Sequence, residues 1–398
     1  MTLWIGRECS VLLKKWLGLC VVCSMLILSA CSFGSDDNKN KVIKNTPKGD
    51  DQKVTLIPQV NSKDYQSIQP KKPSDTRGYI TYGVTNRTDI DELEMGLMRL
   101  SKDPFSPNDY VFQSGQYLTE KDINGMLYRK SKDTPHGLNP PLGDGKDVRE
   151  KAENSPKILS YVLEQDYLKK SGKDEYKLGG VSLAISLNQV YADKVMDKEG
   201  KTYEVKKDLD INKVKQKGKE YAQEIVKRVR GKKGLGQVPI FVTLYLEAPP
   251  ESLVPGHYFA KASVSQGSSS IGKWDKVDSE YILFPSSKAN KDYKSDADIF
   301  NNFKKDVEDY FPNFIGVIGK GFYKGGELDN LTFDISIKFY DKTEVVGFTN
   351  YVASLLQNNF PFPGSVPVQI YIKSANQPEA VIVKKPDQDK PFVHIYRQ

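Results

Sequence analysis

Cys31 is the residue of this chain whose surroundings point most directly to a chemical reaction. It follows Leu28, Ser29 and Ala30, and the sequence changes from apolar to charged within a few residues of it. Small residues before a cysteine let a peptidase hold an extended backbone, and a thiol can carry a thioether-linked diacylglyceryl group. The run at 28–31 is similar to a bacterial lipobox, which predicts cleavage before Cys31 and lipidation of its sulfur.

The residues before the lipobox have the layout of an export signal. Arg7, Lys14 and Lys15 are basic, and an apolar stretch follows from Trp16 to Ile27. A membrane-spanning helix needs about 20 apolar residues, so this stretch is short for one. Its length fits the apolar region of a secretory signal. An uncleaved N-terminal anchor is the alternative interpretation.

Lipidation would attach the chain to the extracytoplasmic face of the cell membrane. Two acyl chains such as palmitate anchor a protein stably, since each buried methylene contributes about 0.8 kcal/mol. Diacylglyceryl transferase and signal peptidase II are the expected processing partners. Cys9, Cys20 and Cys23 lie in the segment that cleavage would remove. The mature chain would then have no disulfide, thiolate nucleophile or cysteine metal site.

The charge of the chain gives little support for binding to nucleic acid. The net charge is +7, and removal of residues 1–30 lowers it to about +5. Basic and acidic residues are interspersed, without a block of arginine and lysine between aromatic residues. We therefore expect no nucleic-acid partner.

The composition predicts five segments along the chain. Polar residues with few large apolar ones follow the lipobox and predict a flexible tether. The predicted segments are a signal peptide at 1–30, the lipidated cysteine and tether at 31–76, a small N-terminal α/β segment at 77–150, and repeat units at 151–266 and 277–398.

The two predicted repeat units rest on three pairs of similar segments that occur in the same order. The pairs are GVSLAISLNQVY (180–191) with NLTFDISIKFY (330–340), KEYAQEIVKRV (219–229) with TNYVASLLQNN (349–359), and GQVPIFVTLYLEA (236–248) with GSVPVQIYIKSA (364–375). The last pair shares a Gly-x-Val-Pro entrance. We interpret these matches as a duplicated β-α-β unit.

Periodicity assigns an α+β fold to both units. The first and third segments alternate between apolar and polar residues, as strands do, and the middle segments carry apolar residues at helical spacing. One apolar and one mixed face predict largely antiparallel sheets covered by helices on one side only. We also expect a strand at 78–86, a helix capped by Thr88 or Asp89, a second short helix at 120–130 capped by Thr119, and a Gly/Ser-rich hinge at 265–273.

Few residues are candidates for catalysis or metal binding. His136, His257 and His394 lie in separate segments without metal-ligand spacing, and no nucleophile motif or phosphate loop is present in the sequence. His136, in a loop rich in proline and glycine, is the best of the three, although a turn residue is the simpler interpretation. Asp306, Glu308 and Asp309 have the pattern of a solvated helix face. We predict no catalytic residue, metal site or cofactor.

Four further segments carry a resemblance to a known family. These are FQSGQYLTEKDI, HGLNPPLGDG, KGKEYAQEIVKRV and VPIFVTLYLEAP, which stand in this order after the lipobox and tether. Together they resemble the CamS family of Gram-positive envelope lipoproteins, which are called sex-pheromone precursors. The resemblance implies a folded part without enzymatic activity and a short apolar peptide released from the end of the signal sequence.

In this chain, the peptide that the resemblance implies would end immediately before Cys31. It consists of Ser24, Met25, Leu26, Ile27, Leu28, Ser29 and Ala30. A pheromone receptor for the released peptide is the further partner that the resemblance implies. The alternative function is an extracytoplasmic binding module that holds a peptide or a cell-wall glycan in the cleft between the two repeats.

Overall fold

A computed structural model describes residues 52–53, 55–57, 63–69, 72–76, 78–310, 314–358, 362–375, 377–386 and 388–397. Within these ranges the fold is α+β, as predicted. The α-helices are α1 Arg87–Ser101, α2 Glu120–Leu127, α3 Val148–Asn154, α4 Ile211–Arg230, α5 Ser287–Asp292, α6 Lys294–Tyr310 and α7 Lys342–Asn358. None of the helices in this part of the chain is long and apolar enough to span a bilayer.

A first sheet of nine strands holds most of the N-terminal half. Its strands are β1 Gln52–Lys53, β2 Thr55–Ile57, β3 Ser67–Gln69, β4 Tyr110–Ser114, β5 Leu159–Gly172, β6 Glu175–Leu187, β9 Ile240–Leu246, β10 His257–Val264 and β11 Asp275–Lys276. The order is β11-β10-β9-β6-β5-β4-β3-β2, with β1 against β6. A separate hairpin, β7 Val190–Met196 with β8 Thr202–Asp208, precedes α4. The predicted segments 77–150 and 151–266 thus contribute to one sheet.

A second sheet of six strands holds the C-terminal half. Its strands are β12 Ser279–Phe284, β13 Phe314–Lys324, β14 Glu327–Ile337, β15 Val368–Ser374, β16 Gln377–Lys384 and β17 Phe392–Ile395, in that spatial order. Only β14 and β15 are parallel here, and α7 forms the crossover between them. The tight turn from β13 to β14 uses Gly325 and Gly326, both at positive φ. These two glycines therefore join two strands, while Gly319 and Gly321 lie within β13.

The two sheets repeat one pattern of strands. The order β4-β5-β6-β9-β10-β11 corresponds to β12-β13-β14-β15-β16-β17, with the same parallel or antiparallel pairing at each step. Val181 pairs with Ile240 in the first sheet, and Leu331 pairs with Val368 in the second. These are the positions that the sequence comparison aligned. Duplication remains our interpretation of this agreement.

The first sheet is covered on both faces, which corrects the prediction of one-sided sheets. Every residue of β9 is buried. On one face, a Cβ at Gly218 of α4 would lie 2.3 Å from the side chain of Leu187. On the other face, the Ser101 hydroxyl of α1 lies 2.7 Å from that of Ser182. Leu187 and Ser182 are an odd number of residues apart on β6, so α4 and α1 cover opposite faces.

The second sheet has one covered face, as predicted. Buried and more exposed residues alternate along β14 and β15. Phe333 packs against Phe300 and Phe303 of α6, with ring centroids 5.9 and 4.7 Å apart, and Phe348 of α7 belongs to the same core. The opposite face carries Asp334, which forms ion pairs with Lys320 and Lys373.

Capping side chains mark where two of the helices begin. The predicted Thr119 cap is confirmed, since its hydroxyl and the Asp122 carboxylate form a reciprocal capping box. The predicted cap of α1 is wrong: the Asn86 side chain accepts the Thr88 N–H and fills that role. Asn86 is selected because its amide also reaches the Ser252 carbonyl, a tertiary contact that the local sequence does not reveal.

Two other expectations differ from the structure. Residues 79–82 form a 3-10 turn rather than part of a strand. The loop at 265–273 is fastened rather than hinge-like, because Arg230 donates to the carbonyls of Ser265 and Ser268 and Gln223 to that of Ser269. The chain crosses from the first sheet to the second at residues 277–278, because β11 at 275–276 still pairs with β10 and β12 begins at 279.

Candidate functional site

The predicted processing site lies outside the described residues. Cys31, the rest of the lipobox and the Ser24–Ala30 segment all belong to the part of the chain before residue 52. Lipidation and peptide release therefore stay predictions.

The three histidines lie in different parts of the fold and have different surroundings. His136 is exposed in its loop, where its carbonyl accepts a hydrogen bond from Arg228 at 2.7 Å. His394 lies on the edge strand β17, with its ring 4.9 Å from that of Tyr396. His257 begins β10 and lines a cavity where the two sheets meet. Among the described residues no three His, Cys, Asp or Glu side chains gather as a metal site.

The cavity beside His257 is the candidate functional site, and we call it the inter-sheet cleft. Its volume is about 370 Å³. Both halves contribute to it: α4, β10 and β11 on one side, and β12, α5 with the following Tyr293, and the β13–β14 hairpin on the other. Its lining residues are Lys215, His257, Phe259, Lys276, Val277, Asp278, Ser279, Glu280, Lys288, Tyr293, Tyr323 and Gly326.

Strand alternation and helix phase position the first wall of the cleft. His257 and Phe259 are two residues apart on β10, so their side chains share a face. Lys215, in the second turn of α4, lies over the Phe259 ring, with its ammonium 5.1 Å from the ring centroid. No carboxylate pairs with Lys215 within the part of the chain that the structure describes.

The second wall is a network of paired charges. Glu280 accepts a hydrogen bond from the Tyr293 hydroxyl at 2.8 Å and forms an ion pair with Lys288 at 2.7 Å. Lys276 and Asp278 form an exposed pair at 3.2 Å. Tyr323 donates to Asp296 at 2.6 Å, and its ring lies 4.1 Å from that of Tyr293. These contacts fix the rings and balance the charges of this wall.

The electrostatic surroundings of His257 favour a neutral imidazole. Burial is the largest cause that lowers its pKa, and the positive charge of Lys215 lowers it further. Lys288 acts in the same direction, and only Glu280 opposes them. The imidazole region is therefore a place where a negative charge would be favourable and an additional positive charge would not.

A cluster at the junction of the two halves links α1 to the strands behind the second wall of the cleft. The Tyr281 hydroxyl of β12 donates to the buried Glu92 carboxylate of α1 at 2.6 Å. Arg99 pairs with the same carboxylate and lies over the Phe322 ring, 4.5 Å from its centroid. We call Glu92, Arg99, Tyr281 and Phe322 the junction cluster. It links a helix of the first half to two strands of the second.

Buried carboxyl groups in the first half have a structural role. Asp89 accepts hydrogen bonds from the Tyr245 hydroxyl and the Gly256 N–H, at 2.5 and 2.7 Å, and thereby fastens the chain after β9. Glu247 accepts from Ser160 and Ser186. Burial raises the pKa of Asp89 to about 6 and that of Glu247 to about 7.

A second pair of buried carboxyl groups lies on β5. Glu164 accepts the N–H groups of Tyr117 and Leu118, and Asp166 accepts that of Gln116. Burial raises the pKa of both carboxyl groups, and Glu164 raises that of Asp166 further. Glu164 also lines another cavity, of about 360 Å³. Because both carboxyl groups accept backbone hydrogen bonds from the loop at 116–118, we interpret them as structural.

The sequence predicts a binding cleft between the two repeats as the alternative function, but it favoured His136 over His257, the histidine that lines the inter-sheet cleft. The alternation of HYFAKASV could have placed His257 beside Phe259, but nothing in the sequence shows that Lys215 and Glu280 approach them. The acidic pair on β5, Glu164 and Asp166, could have been found in the sequence, because two carboxyl groups at i and i+2 in a buried strand are unusual.

Comparison with known proteins identifies the family. The family model described as CamS sex pheromone cAM373 precursor matches residues 72–390. The chain belongs to the CamS family. This confirms the resemblance carried by the four quoted segments.

Solved structures agree with this membership of the CamS family. A sex pheromone precursor from Lactobacillus salivarius subsp. salivarius UCC118 is 30% identical, with a TM-score of 0.77 over 87% of this chain and 99% of that one. The C-terminal domain of the sex pheromone staph-cAM373 precursor from Staphylococcus aureus is also 30% identical, with a TM-score of 0.65 over 80% of this chain and 100% of that one. No curated protein matches the chain.

Membership of the CamS family indicates a pheromone precursor located in the cell envelope, and this family is not known as a family of enzymes. The matched region begins at residue 72. It therefore includes neither the lipobox nor the predicted peptide.

Proposed function

We propose that the protein is a CamS lipoprotein, anchored in the cell membrane by a diacylglyceryl group on Cys31. The observation that carries this proposal is the lipobox at 28–31, preceded by a basic and then an apolar segment in a chain of this family. Diacylglyceryl transferase and signal peptidase II would act in turn, and the folded part would stand outside the membrane. Its role there is non-catalytic in this proposal.

We further propose that the discarded segment supplies a pheromone. The heptapeptide Ser24–Ala30 ends at the cleavage site and consists mostly of apolar residues. Release needs only one more cut, before Ser24. The neighbours in the family that carry the description of sex pheromone precursors support this function.

Mass spectrometry of the membrane fraction and the culture medium tests both statements. We expect an acylated N-terminal Cys31 in the membrane and the Ser24–Ala30 peptide in the medium. The Cys31→Ser variant, which cannot form the thioether, should lose both products. An intact N-terminus at Met1 in the wild-type protein would overturn the proposal.

Activity of the peptide needs a separate assay. Synthetic Ser24–Ala30 peptide should induce clumping or conjugation in a responder strain, and a scrambled heptapeptide of the same composition should not. If neither peptide induces a response in any responder strain, the pheromone proposal fails while the lipoprotein proposal stands.

A second function is favoured by the inter-sheet cleft. A cavity lined from both halves, with a half-buried histidine and a lysine without a carboxylate partner among the described residues, is suited to hold a ligand. We therefore retain the extracytoplasmic binding module for a peptide or a cell-wall glycan. Thermal-shift screening with wall-derived peptides and sugars tests it: stabilisation by one class supports binding, and stabilisation by none contradicts it.

A further inference from the structure

We propose that the inter-sheet cleft binds an anionic sugar, with the carboxylate or phosphate group of the sugar between Lys215 and His257. This inference rests on the second function proposed above and names the class of ligand. The two groups belong to α4 and β10, so the site exists only in the folded protein.

The charge balance of the cleft favours an anion at this place. Lys288 and Lys276 have carboxylate partners, at 2.7 and 3.2 Å, whereas Lys215 contacts an aromatic ring. An ammonium group that packs on a ring keeps N–H donors available, and its attraction to an oxyanion is strengthened where water is partly excluded. Lys215 is therefore the cation of this cleft that a ligand can use without breaking an ion pair.

His257 supplies the second contact. Neither ring nitrogen of His257 has a hydrogen-bond partner among the residues that the structure describes, and the side chain lines the cavity. A neutral imidazole donates one hydrogen bond to an oxyanion, and an anion bound beside it also favours its protonation. Lys215, Lys288 and Glu280 act on the imidazole from α4, α5 and β12, and the exposed Lys276–Asp278 pair and Tyr293 complete the charged and titratable groups nearby.

The remaining walls suit a sugar better than a dipeptide of the same size. Glu280 and Asp278 are acceptors for hydroxyl groups, of which a sugar has several and a dipeptide has few. Tyr293 and the small exposed part of Phe259 offer apolar ring surface to the C–H groups of a sugar. A volume of about 370 Å³ accommodates one sugar unit with its anionic substituent.

Three probes that differ in the anionic group test the proposal. These are N-acetylglucosamine, N-acetylglucosamine 6-phosphate and N-acetylmuramic acid, which are neutral, phosphorylated and carboxylated. We expect one or both anionic sugars to bind and the neutral sugar to bind at least about tenfold more weakly. Binding of only one anionic sugar identifies whether phosphate or carboxylate is the natural group. Acetyl-alanyl-alanine serves as a carboxylate without a sugar.

Histidine NMR locates the binding. The chain has three histidines, so the His257→Asn variant assigns the resonance of His257 without ambiguity. A bound anionic sugar should shift that resonance, raise the pKa of His257 and leave the resonances of His136 and His394 unchanged. Affinity should consequently increase as the pH falls through the titration of His257.

A matched pair of lysine variants tests the assigned contact. Lys215→Met keeps most of the apolar stem and removes the charge, and it should weaken binding of the anionic sugar by about tenfold or more. Lys219→Met removes an equal charge from an exposed position one turn along α4 and should leave affinity unchanged. Equal unfolding temperatures of the two variants exclude misfolding as the cause.

The outcomes separate this inference from the function on which it depends. Equal affinity for neutral and anionic sugars, or equal loss in the two lysine variants, overturns the anionic contact. Binding of acetyl-alanyl-alanine without binding of either anionic sugar overturns the sugar assignment but leaves a binding module. Failure of all probes, and of the thermal-shift screen, overturns both.

Discussion

The two sheets have the same strand order but different surroundings. In the first sheet α1 and α4 cover both faces, whereas in the second α6 and α7 lie in one core on the same face. Corresponding residues show the difference. Ala184 is fully buried under α1, and its counterpart Asp334 lies on the open face with Lys320 and Lys373. One backbone pattern thus supports a closed half and a half with a polar face.

The comparison also shows where polar groups can be placed in each half. The closed half contains buried carboxyl groups with raised pKa values, such as Asp89 and Glu247. The open half instead has Asp334 and Glu379, whose carboxyl groups have lowered pKa values because hydrogen bonds and charges of neighbouring lysines outweigh burial. Glu247 and Glu379 are both 6% exposed, so the lysine partner of Glu379 accounts for the opposite sign of its pKa shift.

The largest effect on stability is expected when a residue of the closed half is replaced by the residue type of its counterpart in the open half. Ala184→Asp places a carboxylate without a partner under α1 and should destabilise the protein by at least about 4 kcal/mol. Asp334→Ala, its matched control on the open face, should change the free energy of unfolding by less than about 1 kcal/mol. Chemical denaturation measures both. Similar values for the two variants would mean that the faces are equally accessible.

Each sheet has a covered face that corresponds to a covered face of the other sheet. Substitutions on this face should destabilise the two halves by similar amounts. Ile185 and Ile335 are counterparts with no exposed surface. Replacement of either by alanine should cost about 2–5 kcal/mol, since each leaves a cavity in a packed core. Denaturation curves of the two variants provide the test. A loss confined to one variant would show that the two cores are not equivalent.

The pH dependence of the free energy of unfolding should reflect the buried carboxyl groups of the closed half. The pKa of Glu247 is about 7 in the folded protein against 4.5 for the ordinary group, and that of Asp89 is about 6 against 3.8. The folded state therefore binds more protons between about pH 4 and 7, so the free energy of unfolding should fall as the pH rises through this range. His257, with its lowered pKa, opposes this trend only in part.

Denaturation at several pH values, with Glu247→Gln and Asp334→Asn as a matched pair, measures this slope. Glu247→Gln should flatten it, with a gain on the order of 1–3 kcal/mol at pH 7.5, because the buried charge is removed. Asp334→Asn should leave it unchanged, since a lowered pKa gives stability that is lost only as the pH falls below about 4. A slope of the opposite sign in the wild-type protein would contradict the prediction.

The smallest effect is expected at the junction cluster. Tyr281→Phe removes one hydrogen bond to Glu92, which keeps Arg99 as its partner, and should cost about 1–2 kcal/mol. The double variant Tyr281→Phe/Arg99→Met should cost more than the sum of the single variants, because Glu92 would then be buried without a partner. Additive losses would show that the cluster does not act as a unit.

Much of the fold followed from local patterns. Alternation placed β6, β9, β14 and β15, and helical spacing placed α4 and α7, whose apolar residues Ile225, Val229, Phe348 and Val352 are buried. The 3-10 turn at 79–82 shows the limit of this reasoning, because β-rich composition does not reveal whether a neighbouring strand is available for pairing.

The candidate site was harder to predict than the fold. His136 stood out because its loop is rich in proline and glycine, yet its contact is a backbone hydrogen bond to Arg228. His257 looked like an ordinary strand residue. Its surroundings come from Lys215, 42 positions earlier, and from Glu280 and Lys288 on the other half. Such proximity depends on how the sheets meet.

The sequence by itself determined the α+β class, the paired strand-helix-strand segments, the family and the predicted processing site at Cys31. Each of these rests on neighbouring residues or on a short period, which the order of residues contains directly. Only the tertiary structure decided that α1 covers the second face of the first sheet, that Asp89 and Glu247 become buried carboxyl groups, and that His257 and Lys215 share a cleft. These features depend on contacts between residues far apart in the chain, and only packing brings such residues together.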